Sequence, residues 1–413
     1  MTPSLTSPVK SGVRVSNGPL TAYIAPYRAK LGSLGYVPAQ VVYHLRFFAK
    51  LDLWLLRRKQ RPWWLNEEKI GRFLTQLRKE HPAGYRGARS GLRFLLSFLR
   101  EVGAVAPKIE STASSPSQRL ADRYRAYLRE DRGLDRATIY NYSRHIDPFL
   151  IENFGAGPVK LRALGTSQIT AFIRENVPRG GRGLAAQMLT GLRSFFRFAL
   201  LRGLTTSDLA AVVPAVPSWE MSGPPKHLSA ETVQHVLAAC ERSTVQGKRD
   251  YAILLLLARL GLRAGEIVTL QLDDIDWVNG QFAVRSKKGD GWARLPLPVD
   301  VGRALARYLK VRPPSACRNV FVRGYAPFTP FSASGPVSVL VRKAIETAKV
   351  KSARTGAHVF RHSLATEMLR RGASLDEIGR VLRHKDPDST AIYAKVDLNA
   401  LRKLALPWPG GAQ

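Results

Sequence analysis

Apolar residues recur every three to four positions along most of this 413-residue chain, a period that predicts helices. One stripe holds Tyr124, Tyr127 and Leu128, a second Ile139, Tyr142, Ile146 and Phe149, and a third Leu192, Phe195, Phe196 and Ala199. Ser229 is a suitable N-cap for a helix carrying Val233, Val236 and Leu237. The next helix is expected from about Arg249 to Gly261, which should end it, and another from Glu266 to Leu272. From Asp276 the period shortens to two. The stretches WVNGQFAV and RSKKGDGWARLPLP alternate around Asn279-Gly280 and Asp290-Gly291, which predicts a small antiparallel sheet. Helical spacing returns at His358, where Phe360, Leu364 and Met368 should face a core while His358 and Arg361 share the other face. Ser374 with Glu377 makes a capping box for a helix through Ile378 and Leu382.

Two stretches break the pattern. Residues 106–117 and 214–226 are rich in Pro and Ser and lack periodicity, so they read as linkers. The expected organisation is a mobile leader over 1–19, a helical domain over 20–105, a second over 118–213, and a C-terminal domain over 227–413. The two helical segments resemble each other. Tyr27 aligns with Tyr124 at an offset of 97, Ile70 and Phe73 with Ile169 and Phe172 at 99, and Gly91-Leu92-Arg93 with Gly191-Leu192-Arg193 at 100. An offset that drifts while apolar and Gly positions keep matching is the trace of a duplicated domain.

Charge narrows the partner. Lys and Arg number 64 against 31 acidic residues, a formal net charge of +33 that attracts polyanions at long range, nucleic acid above all. Arg119, Arg123, Arg136, Arg144, Arg193 and Arg197 lie off the apolar stripes of the second helical domain and are candidate phosphate contacts. The apolar run Ala252–Ala258 is far shorter than the roughly 20 residues that span a bilayer, so no membrane partner is expected. The polar start lacks an apolar signal core, so a cytoplasmic, nucleoid-associated protein is expected. Two cysteines, Cys240 and Cys317, are too few for a disulfide framework or a structural zinc site. Asp273, Asp274 and Asp276 read as a turn, and no metal or other cofactor is expected.

Arg263, His358, Arg361, His384 and Tyr393 occur in that order along the C-terminal domain. A phosphoryl transition state spreads negative charge over non-bridging oxygens, and guanidinium forks donate to two of them at once. A tyrosine hydroxyl can then act as nucleophile. Its ordinary pKa of about 10 requires nearby cations or a base to stabilise the phenolate.

The segments LGLRAGEI, HVFRHSLAT and VLRHKDPDSTAIYAKV resemble the arginine, His-x-x-Arg and nucleophile boxes of the tyrosine recombinase (phage integrase) family, over about residues 226–405. Two positions depart from the family pattern: Phe360 stands where Leu is usual and Arg383 where Gly is usual. The resemblance implies a multidomain, mainly α fold. Two helical SAM-like DNA-binding domains would precede an α+β tyrosine-recombinase catalytic domain with a small antiparallel sheet. It implies Tyr393 as the nucleophile that forms a 3′-phosphotyrosine, Arg263 and Arg361 as phosphate clamps, and His358 as phosphate ligand or proton acceptor. It also implies a catalytic lysine at Lys288, with Lys287 its competitor, to protonate the departing 5′ oxygen. His362 reads as a structural hydrogen-bonder, and the stripe Leu398, Leu401, Leu404 and Ala405 as a helix bridging subunits. The implied partners are double-stranded DNA and further copies of the chain, a tetramer on two DNA sites, with related recombinases as candidate co-subunits. The implied function is site-specific recombination, integration or transposition through a Holliday junction. A type IB topoisomerase-like enzyme and a catalytically inactive DNA-binding accessory protein are the alternatives.

Overall fold

Ala252 to Leu257 are buried at every position, which makes the helix that carries them the centre of the C-terminal half rather than a surface element. In the computed structural model the described residues are 18–80, 87–107, 115–155, 157–177, 181–215, 226–285, 291–384 and 386–396. They fall into two compact units, Pro107–Trp219 on one hand and Met1–Ala106 with Glu220–Gln413 on the other.

The N-terminal helices are α1 (Ile24–Ser33), α2 (Pro38–Arg57), α3 (Glu67–Glu80) and α4 (Ala88–Glu101), which close on their own apolar cluster. The second unit holds α5 (Pro116–Glu130), α6 (Arg136–Ser143), α7 (Ile146–Phe154), α8 (Thr166–Asn176) and α9 (Gly181–Leu201), with a separate cluster. Matched positions carry the same burial in both. Tyr27 and Tyr124 are fully buried, as are Leu51 and Phe149, and Ile70 and Phe73 are buried like Ile169 and Phe172. Both last helices end in a left-handed glycine, Gly103 at φ 72° and Gly203 at φ 64°.

The C-terminal half continues with α10 (Ala230–Ala238), α11 (Val245–Leu260) and α12 (Ala264–Thr269). A three-stranded antiparallel sheet follows, β1 (Ile275–Asp276), β2 (Gln281–Arg285) and β3 (Trp292–Pro296), in the order β1-β2-β3. Phe282 pairs with both Ile275 and Leu295, which fixes the register and turns Phe282 and Val284 into the core. Then come α13 (Val299–Leu309), α14 (Gly335–Thr347), α15 (His358–Arg370), α16 (Leu375–Leu382), α17 (Asp388–Ala391) and a tight helical turn, Ile392–Val396. α11 packs against α13 and α15. Truncating a core leucine such as Leu254 to Ala should cost roughly 2–5 kcal/mol.

Several boundaries differ from expectation for local reasons. α11 begins at Val245 rather than near Arg249, because the Thr244 hydroxyl accepts from Gly247 N–H at 3.0 Å and caps a turn that Gly247 and Lys248 disguise. α12 starts at Ala264 and stops at Thr269, and the expected helix to Leu272 gives way to a short turn at Leu272–Asp274. There the Asp274 carboxylate accepts from Gln271 N–H at 2.8 Å. Ser229 and Ser374 cap α10 and α16, with Glu377 closing the second box.

Candidate active site

Four chain segments converge where α11 ends. Gly261 terminates that helix in the left-handed conformation, at φ 57°, and a Cβ there would meet Leu382 Cδ2 at 2.7 Å, so glycine serves both backbone and packing. Its carbonyl accepts from Arg361 Nη1 at 2.6 Å, and Arg361 Nη2 donates to the Leu382 carbonyl at the end of α16. Arg361 is therefore a buried strut, only 4% exposed. Burial, with Arg263 and Arg383 close by, lowers its pKa to about 10.

Arg263 stands just before α12, where its backbone N–H donates to Glu266 Oε2 at 2.8 Å. Its side chain donates through Nη1 to Glu266 Oε1 at 2.9 Å and through Nη2 to the Arg383 carbonyl at 3.1 Å. A guanidinium has five N–H donors, and each of these two arginines spends two of them on the contacts just given. The remainder can meet an anion.

Arg383 makes contacts in the site that its sequence position did not disclose. It is the C-cap of α16 at φ 56°, a conformation that favours glycine, and its side chain turns inward. Nη2 donates to Glu266 Oε2 at 3.1 Å, so the one buried carboxylate holds two arginines. Burial lowers the Arg383 pKa, with Glu266 opposing.

The three histidines share one electrostatic setting. Burial first, and the Arg361 and Arg263 charges next, lower the pKa of His358 and take that of His384 to about 4. His362 is also taken to about 4, by burial and then by His358 and nearby arginines. His362 and His384 are therefore neutral at pH 7. His384 Nδ1 lies 2.6 Å from the Thr390 hydroxyl, which leaves Nε2 for a ligand. His362, expected to be structural, lies against the nucleophile candidate: its Nδ1 is 2.9 Å from Tyr393 Oη.

Tyr393 itself is 1% exposed and packs on Ala365, Ile378 and Leu382. Its ring is parallel to that of His384 with centroids 6.4 Å apart. Burial raises its pKa to about 12, and Arg361 pulls the other way. The structure thus brings Arg263, His358, Arg361, His384 and Tyr393 together. Lys288, Lys287, Asp290 and the stripe Leu398 to Ala405 lie outside the described residues.

Among the candidate DNA contacts, Arg119, Arg123, Arg136 and Arg197 are exposed on α5, α6 and α9, while Arg144 is half-buried. Arg193 is also half-buried and donates to the Pro214 carbonyl at 2.9 Å. Among the described residues no helix is long and apolar enough to cross a membrane.

Comparisons with known proteins place the chain by family and fold. Residues 226–399 match the phage integrase family and residues 121–203 the phage integrase N-terminal SAM-like domain. The chain is 43% identical over 402 residues to the "Putative integrase/recombinase y4rA" of Sinorhizobium fredii (strain NBRC 101917 / NGR234), covering 97% of each. It is 30% identical over 277 residues to the tyrosine recombinase XerD of Listeria monocytogenes serotype 4b (strain F2365), covering 65% of this chain and 91% of that one. Its fold is similar to XerH site-specific recombinase in a post-cleavage complex with palindromic difH substrate, at TM-score 0.54 and 18% identity over 82% of this chain and 94% of that one. A lambda integrase tetramer bound to a Holliday junction has TM-score 0.52 at 20% identity, covering 67% and 76%.

Proposed function

The chain belongs to the phage integrase family, the tyrosine recombinases, and from that premise we propose how its residues carry out DNA strand transfer. It is an integrase/recombinase that cuts and rejoins DNA. The observation that carries the assignment of roles is the convergence of two arginines, two histidines and Tyr393 on the junction of α11, α15 and α16.

In this reading a scissile phosphate sits against the unspent donors of Arg263 and Arg361, with His358 and His384 Nε2 on its remaining oxygens. Tyr393 Oη attacks phosphorus, the bond from phosphorus to the 5′ oxygen breaks, and a 3′-phosphotyrosyl link forms. The phenol passes its proton to His358 as the new bond forms, and the departing 5′ oxygen takes one from Lys288. A 5′ hydroxyl from a partner strand then reverses the step. One phosphodiester replaces another, so the energy of the bond is kept in the covalent link.

The arginines act by geometry and charge. The phosphodiester carries one negative charge and the pentavalent state carries more, so fixed cations gain strength along the reaction path. His362 is a restraint rather than a base: a ring whose conjugate acid has a pKa of about 4 cannot remove a proton from a phenol at about 12. Tyr393 must therefore leave its buried seat to reach phosphate, which fits a site completed when DNA and neighbouring protomers bind. The assembly proposed is four protomers on two DNA sites, with Arg119, Arg123, Arg136 and Arg197 gripping backbone phosphates.

A two-site assay tests the reading. Full-length protein incubated with two labelled duplexes carrying a cognate site should yield products with exchanged flanks. Relaxation of supercoiled plasmid without any exchanged product would instead make it a topoisomerase-like enzyme. Shifted but uncut DNA would make it an accessory protein.

A further inference from the structure

The two helical layers share a plan of buried residues and place their cations differently. Exposed Arg119, Arg123, Arg136 and Arg197 of the second layer correspond in the first to Ala22, Pro26, Pro38 and Ser97, all uncharged. The reverse holds at the end of α2. Lys50, Arg57, Arg58, Lys59 and Arg61 correspond, at a constant offset of 98, to Pro148, Gly155, Ala156, Gly157 and Val159. Arg46 and Arg93 of the first layer do match Arg144 and Arg193, but its remaining cations are placed on a different part of the shared plan.

We propose that this basic end of α2, with the turn after it, is a second surface for duplex DNA, separate from the catalytic clamp and from the arginine face of α5, α6 and α9. The inference rests on the DNA-acting function given above, and concerns the segment that the SAM-like family match does not reach.

Three observations point to a polyanion. None of the five cations is ion-paired among the described residues, and four of them are exposed. The cleft of about 410 Å³ beside them is lined by Lys50, Arg57 and Arg58 on Trp54 and Phe73, and its one carboxylate, Glu80, is taken by Gln76 at 2.7 Å. Lys59 adopts φ 53°, a left-handed conformation that favours glycine, and its counterpart in the second layer is Gly157. A charged side chain has been kept where the backbone alone would select glycine.

Duplex DNA fits better than a single anion. Lys50 and Arg57 are seven residues apart on one helix, about 10 Å along its axis. Duplex DNA carries a charge every roughly 1.7 Å of axis, so a patch of that length meets several phosphates in any register. Trp63, 69% exposed on the same turn, adds a flat apolar face beside the cations. Nothing in the patch distinguishes bases, so the contact serves affinity and reach rather than sequence choice.

The test uses the full chain with Lys50→Gln, Arg57→Gln, Lys59→Gln and Arg61→Gln combined, leaving Arg58, which covers the Trp54 ring at 4.8 Å, in place. Binding to a long duplex is measured as a function of salt. The slope of log K against log salt should become shallower by about 3 to 4, near 0.9 per cation lost. A second variant that exchanges Lys for Arg and Arg for Lys at the same four positions should keep the wild-type slope, which separates charge from folding. Covalent adduct formation on a short duplex holding only the exchange site should stay within about threefold of wild type. An unchanged slope on long duplex overturns the proposal, and so does lost binding only to vesicles of anionic lipid. If no DNA ever yields an adduct with wild-type protein yet the slope still falls, the surface stands and the strand-transfer reading fails.

Discussion

The phosphate clamp and the nucleophile segment lie side by side in one domain but are held in opposite ways. Arg361 is anchored to two backbone carbonyls, Arg263 is tied to Glu266 and to the Arg383 carbonyl, and α11, α15 and α16 fix all of them. These contacts are all made within the protein, so they hold the guanidinium groups in fixed positions. Tyr393 belongs to a tight turn that follows a four-residue helix, seated in a small apolar cluster with a side-chain hydrogen bond to His362. Short helical pieces of this kind have little stability of their own. The difference suggests a division of labour in which the clamp waits and the nucleophile travels.

Breaking the clamp should have the largest effect. Arg361→Lys keeps the charge but loses the fork that bridges Gly261 and Leu382, so single-turnover cleavage should fall by about a thousandfold. DNA affinity should move less than about threefold. If affinity falls as much as rate, Arg361 is a binding residue and the clamp is misassigned. Arg263→Lys should follow at about a hundredfold, read in the same quench assay, because one guanidinium remains.

Arg383→Gly offers a sharper cut. It relieves the left-handed strain and removes one of the two partners of Glu266, and we expect cleavage to slow about tenfold without loss of thermal stability. In an Arg263→Lys background the same change should add almost nothing. Full additivity in that double-mutant cycle would show that Arg383 does not act through Arg263.

On the nucleophile side, His362→Leu removes the hydrogen bond to Tyr393, and if that contact is a restraint, cleavage should change by only a few-fold. A loss greater than about a hundredfold would make His362 part of the proton path. The smallest expected effect is on stability. His362 and His384 have folded pKa values near 4 against an ordinary 6.5, so the unfolded chain binds more protons between those values. Melting temperature should therefore fall as pH drops from about 6.5 to 4, by less in the His362→Leu variant. A flat profile through that window would contradict the depressed values.

The proposed reacting groups could be picked out in the sequence because phosphoryl chemistry permits few residue types and three boxes fixed their order. Gly261, Ser229 and Ser374 were legible because caps and left-handed ends have local signatures. What escaped was set by distance along the chain. Arg383 meets Glu266 across 117 positions, and His362 meets Tyr393 across 31, and no local period encodes either contact. The helical face of Arg361 was legible, but the carbonyls of Gly261 and Leu382 that hold it lie 100 and 21 positions away. The start of α11 was hidden because Gly247 discourages a helix that the Thr244 cap restores.

The account turns on Tyr393 leaving its buried seat to bond with DNA. Wild-type protein is incubated with a nicked duplex whose short 5′ fragment escapes after cleavage, and the trapped adduct is digested and mapped by mass spectrometry. We predict one DNA-linked peptide, with the phosphate on Tyr393, and no adduct from Tyr393→Phe. A phosphate on another residue, or equal trapping by Tyr393→Phe, would contradict the account.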